Sequence, residues 1–91
     1  MVNNIKISVV TATWNCAKTL PDCLASVRQQ NYGNIEHIVI DGASTDGTIS
    51  VINQYIDQIA IFKSEYDRGI YDALNKGIQL ATGNVIGFTC R

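Results

Sequence analysis

The stretch IEHIVIDGASTDGT, residues 35–48, decides the fold of this chain. Its first half, Ile35 to Ile40, is an apolar run that predicts a buried strand, and Asp41 ends that run abruptly. A turn of small and polar residues follows, and Thr48 can cap a helix that begins after the turn. The pattern therefore predicts a strand that leads into a helix, with a carboxylate at the carboxyl end of the strand. Ligands bind at that edge of an open parallel α/β sheet, so we expect a site here.

The same alternation of strand and helix runs through the rest of the chain. Apolar runs predict further strands over residues 5–11, 59–63 and 84–88, the last of them buried. Helical periodicity predicts helices over residues 19–30 and 70–81, with a capping box at Thr19 and Asp22 and a stop at Gly83. Short connections between alternating elements predict a three-layer α/β/α, Rossmann-like sheet of about four parallel strands.

Composition limits the classes of partner. The 91 residues allow a single small domain, and seven basic residues against eight acidic ones give no charge excess that would favour nucleic acid. No apolar run approaches the ~18 residues of a transmembrane segment. Three cysteines, Cys16, Cys23 and Cys90, lack CxxC spacing, which favours reduced thiols in a cytoplasmic protein.

Several common chemistries lack their motifs. The turn after the first strand reads TATWNCAKT and contains neither GxGxxG nor GxxxxGKS/T, so neither phosphate-binding loop is present. There is no GxSxG or HExxH motif either. The only histidine, His37, lies inside a strand and is interpreted as structural, so Ser44 has no histidine base.

Three ordered segments resemble the family 2 glycosyltransferases, nucleotide-sugar-dependent enzymes of the A-type (GT-A) fold. They are SVVTATWN from residue 8, IVIDGASTDGT from residue 38, and SEYDRGIYDALNKGIQLATGNVIGF from residue 64. The resemblance covers nearly the whole chain. It implies that the chain is the N-terminal, donor-binding part of such an enzyme and that a nucleotide sugar, expected to be UDP-linked, is its ligand.

The resemblance also implies which residues contact the nucleotide. The expected nucleotide-binding residues are Ala12, Thr13, Trp14, Asn15, Asp41, Gly42, Asp72 and Asn75. Asp41 would accept a hydrogen bond from a ring N–H of the base; the alternative is a carboxylate that only closes the turn. Trp14 would stack on a uracil ring, or else form a wedge between loop and helix.

The third helix contributes the remaining candidates. Asp72 would meet a ribose or sugar hydroxyl, or cap the helix, because a carboxylate repels phosphate. Asn75 lies near the same helix start, where a diphosphate is favoured. Arg68 could pair with phosphate, although a solvated surface arginine was the favoured interpretation.

The chain departs from the family after its fourth strand. Family members continue with an acidic pair that holds Mn²⁺ or Mg²⁺, and then with an acceptor half that carries the catalytic base. Here Phe88 is followed only by Thr89, Cys90 and Arg91. We therefore expect no catalytic residue and no metal ligand within this chain, a truncation before the metal motif, and no activity alone. The complete enzyme would transfer sugar to an acceptor hydroxyl in polysaccharide biosynthesis.

An alternative from another class stays open at this point. The chain could be a non-catalytic nucleotide-binding or self-associating fragment. An incomplete sheet edge after the fourth strand would expose backbone groups and apolar surface, through which a homodimer could form.

Overall fold

The computed structural model describes residues 5–29 and 33–89, so predictions for Gln30, Cys90 and Arg91 lie outside the described residues. The elements in chain order are β1 (Ile7–Thr13), α1 (Leu20–Arg28), β2 (Ile35–Asp41), α2 (Thr48–Gln54), a 3₁₀ turn (Ile56–Gln58), β3 (Ile61–Ser64), α3 (Ile70–Leu80) and β4 (Val85–Thr89). The four strands form one parallel sheet in the order β3-β2-β1-β4. The predicted fold class is confirmed.

Both faces of the central strands are buried. On one face Val10, Ile38 and Ala73 belong to a cluster under α3. On the other face Leu20, Val39 and Ile52 belong to a cluster under α1 and α2. Adjacent residues of a strand point to opposite faces, so burying both requires the continuous apolar runs that β1 and β2 carry.

β4 differs from its predicted burial. The strand pairs with β1 and is the last strand of the sheet within residues 5–29 and 33–89. Val85, Ile86 and Phe88 are 50%, 37% and 53% exposed. The expectation of a buried strand is wrong for these side chains, because the run of apolar residues is the same for a central strand and for an edge strand.

Three helix ends also differ from the sequence predictions. Thr48 was predicted to cap the second helix, but it is the first residue of α2, and Gly47 holds the capping position without a side-chain hydrogen bond. Thr19 precedes α1 but its side chain makes no capping hydrogen bond, and its hydroxyl donates instead to the carbonyl of Cys16. α3 ends at Leu80, and the chain leaves it through an extended Ala81 rather than through a left-handed Gly83. The helices lie where the sequence predicted them, but the interactions at their ends differ from the predicted ones.

A cluster around Glu36 closes the amino end of the sheet. The Glu36 carboxylate accepts hydrogen bonds from Ser8 Oγ (2.8 Å) and from the backbone N–H of Thr82 (3.0 Å), and it lies 3.4 Å from Lys6 Nζ. The Thr82 N–H is the main cause that lowers the pKa of Glu36 to about 2, with help from the Ser8 and Thr82 hydroxyls and Lys6. This Glu36 cluster joins β2, β1 and the loop after α3.

Three side chains concern reactivity. The ring Nε2 of His37 lies 2.8 Å from Thr11 Oγ1, and burial lowers the pKa of His37 to about 4, which fits its structural interpretation. Cys16 is a free thiol, whereas Cys23 is disulfide-bonded, so the expectation of a reduced thiol is wrong at Cys23.

The helices are short. Across residues 5–29 and 33–89, none is long and apolar enough to cross a membrane.

Candidate functional site

A cleft of about 520 Å³ lies at the carboxyl edge of the sheet, next to the start of α3. Its walls come from the end of β1, the turn after β2 and the segment that leads into α3. The lining residues are Ala12, Thr13, Trp14, Gly42, Ala43, Tyr66, Asp67, Arg68, Gly69, Ile70 and Ala73. The volume falls within the ~300–1,000 Å³ usual for small-molecule sites.

Asp41 lies beneath this cleft rather than in its wall. Its side chain is fully buried and accepts four hydrogen bonds: from Thr13 Oγ1 (2.6 Å), from the Ser44 backbone N–H (2.8 Å), from Ser44 Oγ (2.6 Å) and from Ser64 Oγ (2.9 Å). Burial raises the pKa of Asp41, but these hydrogen bonds outweigh it and hold the pKa below its usual value.

These four bonds use about all the acceptor positions of an ionised carboxylate. They tie the ends of β1 and β3 to the turn that follows β2. The geometry therefore matches the alternative in which Asp41 closes the turn, and a direct contact between Asp41 and a nucleotide stays a prediction.

Asn15 joins the two turns that border the cleft. Its side-chain Oδ1 accepts the backbone N–H of Thr45 (2.8 Å), and its own N–H donates to Ser44 Oγ (2.9 Å). Asn15 has a positive φ of 45°, and Ala43, in the opposite turn, has a φ of 62°. Asn15 thus orders the loops without lining the cleft, while Ala43 is a strained residue in the wall.

Trp14 is the side chain best placed to meet a planar ligand. It lines the cleft and is 59% exposed, so its ring is available. Ala12, Thr13 and Gly42 also line the cleft, and their contact with a nucleotide stays a prediction. The Thr13 hydroxyl, however, is already bonded to Asp41.

The start of α3 uses different residues from those expected. The Asp72 carboxylate accepts a hydrogen bond from the backbone N–H of Arg68 (3.0 Å) and lies 3.7 Å from Lys76 Nζ. It therefore ties the loop before α3 to the first turn of the helix. Neither Asp72 nor Asn75 lines the cleft. Asp67 and Arg68 line it instead.

The sequence favours a solvated surface position for Arg68 and does not single out Asp67. The only available signal for them was that the polar segment from Tyr66 to Asp72 follows β3. The position of this segment after β3 does not indicate which of the segment's side chains face the ends of β1 and β2.

The described residues offer no site that fits the divalent cation of the family. No three histidine, cysteine, aspartate or glutamate side chains within residues 5–29 and 33–89 lie close enough together to hold a metal ion. Asp41 and Asp67 are the carboxylates nearest the cleft, and Asp41 has its acceptor positions filled. No chemical step through a cation is therefore derived for these residues.

Known proteins match this chain over most of its length. The family profile described as Glycosyl transferase family 2 matches residues 8–89. A PGL/p-HBAD biosynthesis glycosyltransferase of Mycobacterium tuberculosis is 38% identical over 84 residues, which are 89% of this chain and 33% of that protein. The chain thus spans about a third of the length of the curated relatives it matches.

Two solved structures share the fold. Mannosyltransferase PcManGT from Pyrobaculum calidifontis, in complex with GDP-Man and Mn²⁺, has a TM-score of 0.83 and 30% identity over 92% of this chain and 26% of its own. Residues 1–349 of S. aureus TarS, in complex with UDP-GlcNAc, have a TM-score of 0.86 over 94% of this chain and 26% of that one. TarS is 24% identical, so that likeness concerns the fold alone.

Proposed function

Because this chain belongs to glycosyl transferase family 2, we propose that its cleft binds the nucleoside diphosphate part of a nucleotide-sugar donor. The observation that carries this proposal is the cleft itself. It opens at the carboxyl edge of a parallel sheet, where ligands of such folds bind, and it combines an exposed indole with one arginine. The protein to which this sequence belongs would transfer the sugar to an acceptor hydroxyl, as in polysaccharide biosynthesis.

Trp14 supplies the surface for the base. A base that stacks on an aromatic ring gains about 1–3 kcal/mol, and the stack tolerates any base because each has a flat face. The neighbouring backbone of Ala12 and the turn at Gly42 border the same space. The base would therefore lie between the end of β1 and the turn after β2.

Arg68 supplies positive charge for the diphosphate. It lines the cleft directly before α3, an eleven-residue helix whose amino end carries a partial positive charge. A guanidinium group can bind two phosphate oxygens at once. Its position in the cleft supports the phosphate-binding alternative over that of a solvated surface arginine.

The described residues supply neither ligands for a cation nor a side chain assigned as the general base of sugar transfer. Mn²⁺ or Mg²⁺, when bound in a complete family member, would offset the charge of the leaving diphosphate. For this chain alone we expect nucleotide binding that does not depend on added metal, and no sugar transfer.

The proposal is tested by titrating the purified chain with UDP and with GDP while amide NMR spectra are recorded, with and without Mn²⁺. We expect weak binding, with a Kd from millimolar to tens of micromolar, about −4 to −6 kcal/mol. The shifts should cluster at residues 12–14, 42–43 and 66–69. No shift at millimolar nucleotide, or shifts far from the cleft, would contradict the proposal.

A matched pair of variants sharpens this test. Trp14→Ala removes the aromatic wall and should weaken binding about tenfold or more. Tyr71→Ala removes an aromatic side chain that is 80% exposed but does not line the cleft. Equal effects of the two variants would mean that stacking in the cleft does not hold the nucleotide.

Self-association is a second candidate function, favoured by β4. Within residues 5–29 and 33–89, β4 lies at the edge of the sheet, and it exposes Val85, Ile86 and Phe88. A second copy could pair with it across a two-fold axis, because edge strands are templates for further pairing. Light scattering should then give a dimer mass that Phe88→Lys returns to a monomer; a monomer at high concentration would count against it.

A further inference from the structure

The loop between β3 and α3 brings Arg68 to the cleft, but the sheet does not hold this loop. Glu65 still follows the sheet, since its backbone N–H donates to the carbonyl of Asp41 (3.0 Å). Beyond it, Tyr66, Asp67 and Arg68 make no backbone hydrogen bond to the sheet within residues 5–29 and 33–89. The position of this wall of the cleft must therefore be set from another side.

Two side chains of α3 hold the loop instead. The Asp72 carboxylate accepts a hydrogen bond from the backbone N–H of Arg68 (3.0 Å). One turn further along the helix, the Lys76 ammonium group donates to the carbonyl of Tyr66 (3.2 Å). Lys76 Nζ also lies 3.7 Å from Asp72 Oδ2 and 3.2 Å from Glu65 Oε2, so one cation joins both ends of the loop to the helix. We call Asp72 and Lys76 the α3 clasp.

The guanidinium group of Arg68 is not fixed by a partner of its own. It forms no ion pair with any residue in the part of the chain that the structure describes. A long side chain with a free end reaches only what the position of its backbone allows. The α3 clasp sets that position, so it decides whether the guanidinium group can reach a ligand in the cleft.

We propose that Lys76 and Asp72 are positioning residues that hold Arg68 against the diphosphate of the bound nucleotide. This inference rests on the proposed function and deepens it. Neither residue lines the cleft, so both act through the loop and not through contact with the ligand. Lys76 also offsets the charges of Glu65 and Asp72, two carboxylates that would otherwise repel a diphosphate bound beside them.

The test compares UDP with uridine, which lacks the two phosphates. Amide NMR gives the Kd of the purified chain for each, and the ratio of the uridine value to the UDP value reports what the phosphates add. Charged hydrogen bonds to phosphate should make this ratio about tenfold or more in the unaltered chain. Arg68→Met should lower the ratio. A loss of folding stability would weaken both ligands together and leave the ratio unchanged.

Substitutions of Lys76 test the first half of the α3 clasp. Lys76→Met removes the ammonium group and keeps the length of the side chain. It should lower the ratio about three- to tenfold by weakening UDP binding, while uridine binding stays the same. Lys76→Arg keeps a charged donor and should keep most of the ratio. Lys18→Met is the matched control and should leave the ratio unchanged, because Lys18 is an exposed lysine before α1 that does not line the cleft.

Asp72→Ala separates positioning from charge. This substitution removes a negative charge beside the cleft, so charge alone would strengthen UDP binding. If Asp72 holds Arg68 in place, UDP binding should instead weaken about three- to tenfold. A direct contact between Asp72 and the ribose would weaken uridine and UDP equally, so the ratio distinguishes that alternative as well. If either Lys76→Met or Asp72→Ala fails to fold, as its amide spectrum will show, the other decides.

The outcomes separate this inference from the proposed function. A chain that binds neither UDP nor uridine would overturn both. UDP binding with an unchanged ratio in Lys76→Met and Asp72→Ala would leave nucleotide binding standing and overturn the role of the α3 clasp. A UDP affinity raised by Asp72→Ala, or equal losses in Lys76→Met and Lys76→Arg, would overturn that role too. So would a ratio close to one in the unaltered chain.

Discussion

Replacing Glu36 by glutamine should destabilise the chain in a way that depends on pH. The Glu36 side chain is 11% exposed and holds together β1, β2 and the loop after α3 through Ser8, Lys6 and Thr82. The fall of its pKa from an ordinary 4.5 to about 2 corresponds to about 3 kcal/mol of stabilisation. Water still screens the charge of this partly exposed side chain. We therefore expect Glu36→Gln to lower the free energy of unfolding by about 2–3 kcal/mol at pH 7.

The direction of the pH effect follows from the sign of the pKa change. Folding lowers the pKa of Glu36, so the folded state favours the ionised form. Its contribution is complete above the unfolded value of 4.5 and disappears as the pH falls towards the folded value of about 2. The difference in free energy of unfolding between the two proteins should shrink over this range.

Urea unfolding, followed by circular dichroism at several pH values between 7 and 2, measures this difference. Glu65→Gln serves as control, since Glu65 is an exposed carboxylate paired with Lys76 at the surface. We expect little change for the control at any pH. A difference for Glu36→Gln that is absent at pH 7, or that is as large at pH 2 as at pH 7, would refute the role given to the Glu36 cluster.

Three further substitutions test the site and the core. Asp41→Ala leaves several buried donors without an acceptor and should lower the free energy of unfolding by about 2–4 kcal/mol in urea; a neutral effect would contradict its structural role. Ala43→Gly relieves a φ of 62° and should raise the free energy of unfolding by about 1 kcal/mol in thermal melts, whereas a loss would mean that the turn is not strained. Gly77→Ala would press its Cβ onto Val10 Cγ1, and this overpacking of about 1–3 kcal/mol should exceed the gain of about 1 kcal/mol in helix propensity. The double variant with Val10→Ala should recover stability; a stabilised single variant would refute the contact.

The central part of the fold could be predicted because its pattern is local. The apolar residues 38–40, bounded by a turn, favour a strand covered on both faces, and β2 is such a strand. The periodicity of residues 70–80 likewise predicted α3, whose Ala73 and Gly77 are buried. Ile70 and Ile78 lie on the same helical stripe but are 37% and 41% exposed, because α3 covers only part of the sheet.

The neighbours of each strand could not be predicted in this way. The sequence of residues 84–88 does not indicate that, among residues 5–29 and 33–89, β1 is the strand with which β4 pairs, at an edge of the sheet. Pairing order depends on how the crossovers pack, and this is a property of the whole chain.

In the site, too, local sequence predicts the position of some side chains but not their contacts with distant segments. The resemblance to the family singled out Trp14, Thr13 and Gly42, and all three line the cleft, while their contact with a nucleotide stays a prediction. Asp41 was predicted correctly to lie at the strand end, but its burial depends on donors from three separate segments. A Cβ atom added to Gly42 would lie 2.8 Å from Asp67 Oδ2, so these two residues, 25 positions apart, approach each other closely, and no local pattern predicts this.

The strand order has a consequence for synthesis on the ribosome. β1 is made before the other three strands and lies in the middle of the sheet, yet its second neighbour, β4, is made after β2, β3 and α3. A nascent chain that has emerged only to Ser64 can pair β1, β2 and β3, but α3 is still missing and one face of the sheet stays uncovered. Slow closure of such distant contacts leaves apolar surface open to chaperones or to other chains during translation. The segment from Tyr66 to Gly69 emerges between β3 and α3, so the growing polypeptide acquires the walls of the cleft only as α3 begins to cover the sheet.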